Sequence, residues 1–201
     1  MEQTTKDQIR QQTEAEKTTE SAVQLSEKKA AAEKSDTPVV QLVKMLKAAD
    51  FSIATAESCT GGLLSSRLVD IPGVSAVFRE GFVTYSNKAK RRTLGVSKST
   101  IRKDGAVSEQ TAKEMATGAA MAGDTDLALS VTGNAGPDAE EGKEVGLVYI
   151  GVYAKGKVSV ETFHFKGSRQ EIRSQAADAA VALGIKAVQK LTEKAKPAKK
   201  G

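Results

Sequence analysis

Three short segments carry the residue types from which a catalytic or binding site could be built. The first is Thr55-Ala-Glu-Ser-Cys-Thr-Gly-Gly62. Small hydroxyl residues and paired glycines here close a short β-type run and open a helix. Such a turn exposes backbone N–H groups that suit an anion or a developing oxyanion. The same residues also fit a plain helix start, with Ser58 or Thr60 as N-cap and the glycines allowing close packing. The second segment is Ser130-Val-Thr-Gly-Asn-Ala-Gly-Pro-Asp138. An apolar run again ends in glycines and hydroxyls, where ligands sit in open α/β sheets; a structural turn is the competing reading. Gly136 to Gly142-Lys143 is not a P-loop. Five residues separate the glycines instead of four, and Glu144 stands where a Ser or Thr would reach magnesium. No G-x-G-x-x-G announces a dinucleotide fold.

The third segment is Gly81-Phe-Val-Thr-Tyr-Ser-Asn-Lys-Ala-Lys90, with Tyr85 and Lys90 five apart across an expected strand–helix boundary. An isolated lysine is ordinarily a solvated charge. Buried beside Ser58, its neutral amine could instead take the hydroxyl proton. Serine with lysine is the natural route to a hydrolytic nucleophile in a chain with a single histidine. That histidine, His164, sits in Phe163-His-Phe165 and reads as a half-buried sheet residue. Cys59 adjoins Ser58 as a rival nucleophile, or as a small packing residue.

Composition narrows the classes. The 201 residues carry 30 basic and 25 acidic side chains, a formal net charge of +5. Residues 1–36 hold eight acids and six bases without an aromatic ring, and residues 186–201 hold six lysines against one glutamate. The segment between them is close to neutral, so the basic balance belongs to a tail and nucleic-acid binding is not expected. One cysteine excludes a disulfide framework and fits a reducing, cytoplasmic setting; one histidine excludes a multi-His metal centre. No apolar run approaches the ~18–20 residues needed to span a bilayer, and no membrane partner is expected. The N-terminus lacks the apolar stretch of a secretory signal.

Elements must place these residues. Pro38 opens a helix after a Thr37 or Asp36 cap, continued by Val39, Val40, Leu42, Val43, Leu46 and Ala49 at helical spacing. A β-run at 51–56 follows, then helical period at Leu63, Leu64, Arg67 and Leu68 until Asp70-Ile-Pro-Gly73 breaks it. The pattern predicts a strand at 77–85 and a helix at 87–94. A longer helix follows a Ser108 cap through Thr111, Ala112, Met115 and Ala119, and a buried strand follows at 127–132. Two strands at 145–153 and 158–165 form an antiparallel hairpin, and a long Ala-rich helix occupies 169–191. Helices alternating with strands, plus one hairpin, predict an α/β domain with a mixed sheet flanked by helices. The expected organisation is a disordered charged arm at 1–36, one domain at 37–193 and a Lys-rich tail at 194–201.

Taken in order, Ala56-Glu-Ser-Cys-Thr-Gly-Gly62, Gly81-Phe-Val-Thr-Tyr-Ser-Asn-x-Ala-Lys90, Leu94-Gly-Val96, Gly105-Ala-Val-Ser108 and Val131-Thr-Gly-x-Ala-Gly-Pro-Asp138 closely resemble the CinA C-terminal domain family. Its best-characterised members are bacterial nicotinamide-nucleotide amidases (PncC). The likeness spans about residues 38–193. It implies hydrolysis of the carboxamide of nicotinamide mononucleotide to nicotinate mononucleotide and ammonia, a salvage step in pyridine nucleotide metabolism, with a small-molecule nucleotide substrate, no cofactor and a homo-oligomer. By that likeness Ser58 is the nucleophile and Lys90 its general base, with Tyr85 and Ser75 assisting. Thr132, Gly133 and Gly136 form a substrate-contacting turn, and Arg169 falls near the substrate phosphate. N–H donors for the tetrahedral oxygen are expected around Thr60, Gly61 and Gly62.

The chain also departs from the family pattern. Ser168 stands where an Asp usually precedes Arg169, which makes Arg173, one helical turn on, a rival phosphate ligand. Asn134 replaces an apolar residue, and the loop 139–144 is short and acidic. A non-catalytic interaction protein, linked by the family name to competence or DNA damage, is the alternative to the amidase.

Overall fold

A computed structural model describes residues 37–139 and 141–195. The expectations for 1–36 and for the end of the Lys-rich tail lie outside the described residues.

Pro38–Ala49 forms α1, Ile53–Glu57 β1, Leu63–Val69 α2, and Val74–Ala76 one turn of 3₁₀ helix. Phe78–Val83 is β2, Asn87–Leu94 α3, Lys98–Lys103 α4 and Glu109–Ala122 α5. Leu127–Gly133 is β3, Leu147–Ala154 β4, Lys157–His164 β5 and Arg169–Ala195 α6. The five strands form one mixed sheet in the order β2-β1-β3-β4-β5. β1 runs parallel to both β2 and β3, and the β3–β4 and β4–β5 pairs are antiparallel. The expected α/β class with a mixed sheet and a terminal hairpin is what the chain adopts. The hairpin turns on Lys155-Gly156, both at positive φ (43° and 84°), as a two-residue turn that follows the strand twist requires. No helix among the described residues is long and apolar enough to cross a membrane.

Strand alternation sorts the two faces. Ile53, Leu127, Leu129, Val131, Val148, Ile150 and Val152 point to one side and pack against Leu42, Val43 and Leu46 of α1, Leu64 and Leu68 of α2, and Ile172, Ala176, Ala180 and Val188 of α6. The other side carries smaller residues. Ala54, Ala56 and Ala128 meet Met115, Ala119 and Ala120 of α5 and Leu94 of α3. Gly151 of β4 lies so close to α5 that a Cβ there would be 2.6 Å from the Ala112 carbonyl, and Ser130 Oγ donates to the same oxygen at 2.6 Å. Small residues thus seat α5 directly on the backbone of the sheet.

Two local expectations change. Thr37 occupies the N-cap of α1 in extended conformation, but its hydroxyl makes no capping bond. The Lys98–Lys103 helix was not predicted, because six residues give too little periodicity; it is capped by Ser97, whose Oγ accepts from Ser99 N.

Candidate active site

The turn between β1 and α2 is built around a carboxylate. Glu57 ends β1 fully buried. Its Oε2 accepts from Gly62 N (2.9 Å) and Leu64 N (3.0 Å), and its Oε1 accepts from Ser65 N (2.8 Å) and Ser65 Oγ (2.6 Å). The Glu57 carboxylate, rather than a Ser58 or Thr60 hydroxyl, therefore satisfies most of the amides at the start of α2, whose N-cap is Gly62 at φ 96°; the Leu63 amide donates to the Thr60 carbonyl. Gly61 and Gly62 both adopt positive φ, which lets residues 58–62 fold back over the carboxylate. The legible signal was an acid at the end of a buried strand just before a helix. Arg173 of α6 fixes the other side of the turn, donating from Nε to the Cys59 carbonyl (3.0 Å) and from Nη2 to the Thr60 carbonyl (2.7 Å).

This frame holds Ser58 just past β1, its N–H donating to the Val131 carbonyl of β3 at 2.9 Å. Lys90 lies on the buried face of α3, only 1% exposed. Its Nζ is 2.8 Å from Ser58 Oγ, 3.0 Å from the Thr84 carbonyl and 3.3 Å from the Tyr85 carbonyl. α3 presents Lys90 reliably because Ser86 caps it, accepting from Ala89 N. Carbonyls can only accept, so two N–H groups of the amine point at Thr84 and Tyr85 and its remaining tetrahedral direction faces the serine. The amine and the hydroxyl thus stand within reach of a proton transfer.

A cavity of about 260 Å³ opens on this pair. Its walls include Cys59, Tyr85, Val107, Thr132, Glu141 and Arg169. Arg169 opens α6 and donates to the Gly136 carbonyl and, at 3.0 Å, to Tyr85 Oη. Ser168 holds it there through a capping box: Ser168 N and Oγ each donate to Glu171 Oε2 at 2.7 Å. Those bonds, the backbone one foremost, hold the Glu171 carboxyl below its ordinary pKa. Cys59 Sγ is no rival nucleophile. Burial pushes its thiol up to about 11, and its side chain belongs to the apolar cluster beneath the sheet.

A family model describing the CinA C-terminal domain matches residues 36–188. The chain belongs to the CinA C-terminal domain family. A CinA-like protein of Kosmotoga olearia is 51% identical over 137 residues, covering 68% of this chain and 33% of that protein. The chain thus spans about a third of the length of the curated relatives it matches. Among solved structures, a competence-damaged protein (CinA) superfamily protein from Klebsiella pneumoniae superposes with a TM-score of 0.75 at 31% identity, over 76% of this chain and 96% of that one. One from Enterobacter cloacae gives 0.73 at 33% identity, over 75% and 90%.

Within this CinA domain the structure gathers Ser58, Lys90, Tyr85, Thr132, Gly133 and Arg169 around one cavity. Thr60, Gly61, Gly62 and Gly136 are not among its lining residues. The Gly61 and Gly62 amides are engaged by the Ser58 carbonyl and Glu57, so they do not serve as the expected oxyanion donors. Ser75 does not join the dyad within one chain. It is exposed in the 3₁₀ turn before β2, and the Ile53–Phe78 pairing puts that turn beside the start of β1. The five residues of β1 then separate it from Ser58, roughly 16 Å at ~3.3 Å per residue. Arg173, the rival phosphate ligand, is committed to loop carbonyls instead. Asn134 organises the following loop: Nδ2 donates to the Lys143 carbonyl (3.1 Å) and Oδ1 accepts from Gly136 N (3.0 Å). His164 is an exposed partner of Glu144, not a half-buried sheet residue. Among the described residues no group of three or more His, Cys, Asp or Glu is arranged to hold a metal ion.

Proposed function

We propose that this CinA domain is an amidohydrolase that cleaves the carboxamide of a nicotinamide nucleotide, nicotinamide mononucleotide in the first instance, to the carboxylate and ammonia. The observation that carries the reading is the 2.8 Å contact between Ser58 Oγ and a buried amine already bonded to two carbonyls. Ser58 Oγ attacks the carboxamide carbon as its proton passes to Lys90 Nζ. The carbonyl π bond opens to an alkoxide. Collapse of this intermediate breaks the C–N bond, and the Lys90 proton leaves with the departing ammonia. Water then adds to the serine ester, giving one proton to Lys90, which returns it to Ser58 as the acid product leaves and releases the other proton to solvent. Arg169 supplies fixed positive charge on the wall that receives the anionic substrate.

Ammonia release from nicotinamide mononucleotide tests the reading. Ser58→Ala and Lys90→Ala are each expected to lower kcat by about 10³-fold or more, within the range for losing a nucleophile or its base, with the melting transition retained. Full activity in Ser58→Ala would overturn the assignment.

A further inference from the structure

Ala106 and Val107 line the cavity, and the peptide planes of the segment 105–108 are clamped. Ser108 Oγ and Thr111 Oγ1 both donate to the Gly105 carbonyl, at 3.0 and 2.7 Å. Thr132 Oγ1 donates to the Ala106 carbonyl at 2.7 Å. All three hydroxyl side chains are more than nine-tenths buried. In a planar trans peptide the C=O and N–H point in opposite directions. Tying both carbonyls back therefore aims the N–H groups of Ala106 and Val107 the other way, as a pair of fixed donors.

An anion already sits on them. Glu141 lines the cavity, and its carboxylate accepts from Ala106 N at 3.2 Å and from Val107 N at 3.3 Å. Both contacts are longer than the usual ~2.9 Å for such bonds, and the side chain is exposed. Gly105, at φ 84°, is the residue that allows the approach: a Cβ there would collide with Glu141 Oε2. The seat is thus rigid and buried on the protein side, while its present occupant is loosely held and solvated.

We propose that the paired amides of Ala106 and Val107 receive the phosphate monoester end of the substrate, and that Glu141 is an internal competitor which must leave that seat for the nucleotide to bind. This inference rests on the nucleotide reading above for the identity of the ligand, but the seat is testable without catalysis. Arg169 lines the same cavity and contributes charge, while the two amides contribute direction. A dianionic phosphate makes stronger charge-assisted bonds to these donors than a carboxylate held at 3.2–3.3 Å does.

The full chain, labelled with nitrogen-15, is titrated with inorganic phosphate while the Ala106 and Val107 amide resonances are followed. In Glu141→Gln the two resonances should shift and saturate at about tenfold lower phosphate than in the parent protein, the factor expected when one charge-assisted hydrogen bond no longer competes. Glu141→Asp keeps the charge but withdraws the carboxylate by one methylene, so it should behave like Glu141→Gln. Unmoved amides, or a Glu141→Asp titration matching the parent, would overturn the proposal, the latter because only the field of the charge would then matter. In the amidase assay, Glu141→Gln should lower the ratio of KM for the mononucleotide to KM for its phosphate-free riboside about tenfold. Amide shifts without any amidase activity would leave the seat standing and remove the amidase reading. Activity with immobile amides would do the reverse.

Discussion

Replacing Glu57 by glutamine tests whether one carboxylate organises the catalytic turn. The native oxygens accept four hydrogen bonds, three from backbone amides and one from Ser65 Oγ. A glutamine keeps the shape, but one of its two positions becomes an NH₂ donor. Set at the Oε2 position, it would oppose the amides of both Gly62 and Leu64. Set at the Oε1 position, it opposes only the Ser65 amide, and Ser65 Oγ can turn to accept. The second arrangement is therefore preferred, and it loses one backbone bond outright while stripping charge from the other three. With hydrogen bonds to charged groups worth ~1.5–3 kcal/mol each and neutral ones about half that, the loss comes to about 4–7 kcal/mol. For a domain of this size that corresponds to a fall in Tm of at least about 8 °C, read by calorimetry at neutral pH. Because the turn carries Ser58, kcat for ammonia release should also fall, with Lys90 untouched. A Tm within about 2 °C of the parent protein, well inside the smallest loss this reasoning allows, would refute the claim that Glu57 holds the turn together.

Three further outcomes follow from the same geometry. Arg173→Met removes both donors to the Cys59 and Thr60 carbonyls; it should cost about 2 kcal/mol in a denaturant melt and lower kcat more than it changes KM, because the cavity wall that meets substrate is unchanged. The Cys59 thiol, raised to about 11 by burial, stays protonated at pH 8, so a thiol reagent should modify the native protein at least about 100-fold more slowly than the urea-unfolded chain. The stability tied to that proton is intact below the ordinary thiol value and is lost as pH climbs through about 11. For Asp126, burial raises the carboxyl pKa, but bonds from the Ser52 N–H and hydroxyl and the nearby Lys155 outweigh it and hold the group below its ordinary value. Asp126→Asn should melt lower than the parent at pH 7. The gap should close as pH falls below about 4, where the native carboxyl also becomes protonated.

The strand and helix order was legible because each long element announced itself. Val39 to Ala49 and Leu127 to Thr132 carry unmistakable helical and buried-strand patterns, and the Lys155-Gly156 turn marks the hairpin. The dyad was legible through residue type and family likeness together; nothing in the spacing of Ser58 and Lys90 brings them into contact until β1 and β2 pair in parallel. Ser75 came from family likeness alone; within one chain it lies away from Ser58, because a parallel strand must return to the other end of the sheet before it can begin. Asn134 and Ser168, which looked like departures from the pattern, prove to be local hydrogen-bond devices, a loop anchor and a helix cap. Glu57 and Glu141 escaped notice, and Arg173 was read as a phosphate ligand, because charged side chains read as facing solvent or ligand. Only the folded chain shows that their partners are backbone groups, which leave no trace in residue type.

The seating of α5 on Gly151 has a mechanical consequence. With no side chain to act as a cushion, the helix and the sheet beneath it must shift together or not at all, so the jaw of the cavity that carries residues 105–108 is stiff. The second jaw, the loop that follows Asn134, is tied by backbone bonds at its base, where Asn134 N meets the Leu147 carbonyl and Gly146 N the Asn134 carbonyl, and beyond that by the Asn134 side chain. Adaptation to bulkier or slimmer rings would therefore be absorbed almost wholly by that second jaw, and libraries aimed at altering substrate range belong there rather than along the helix.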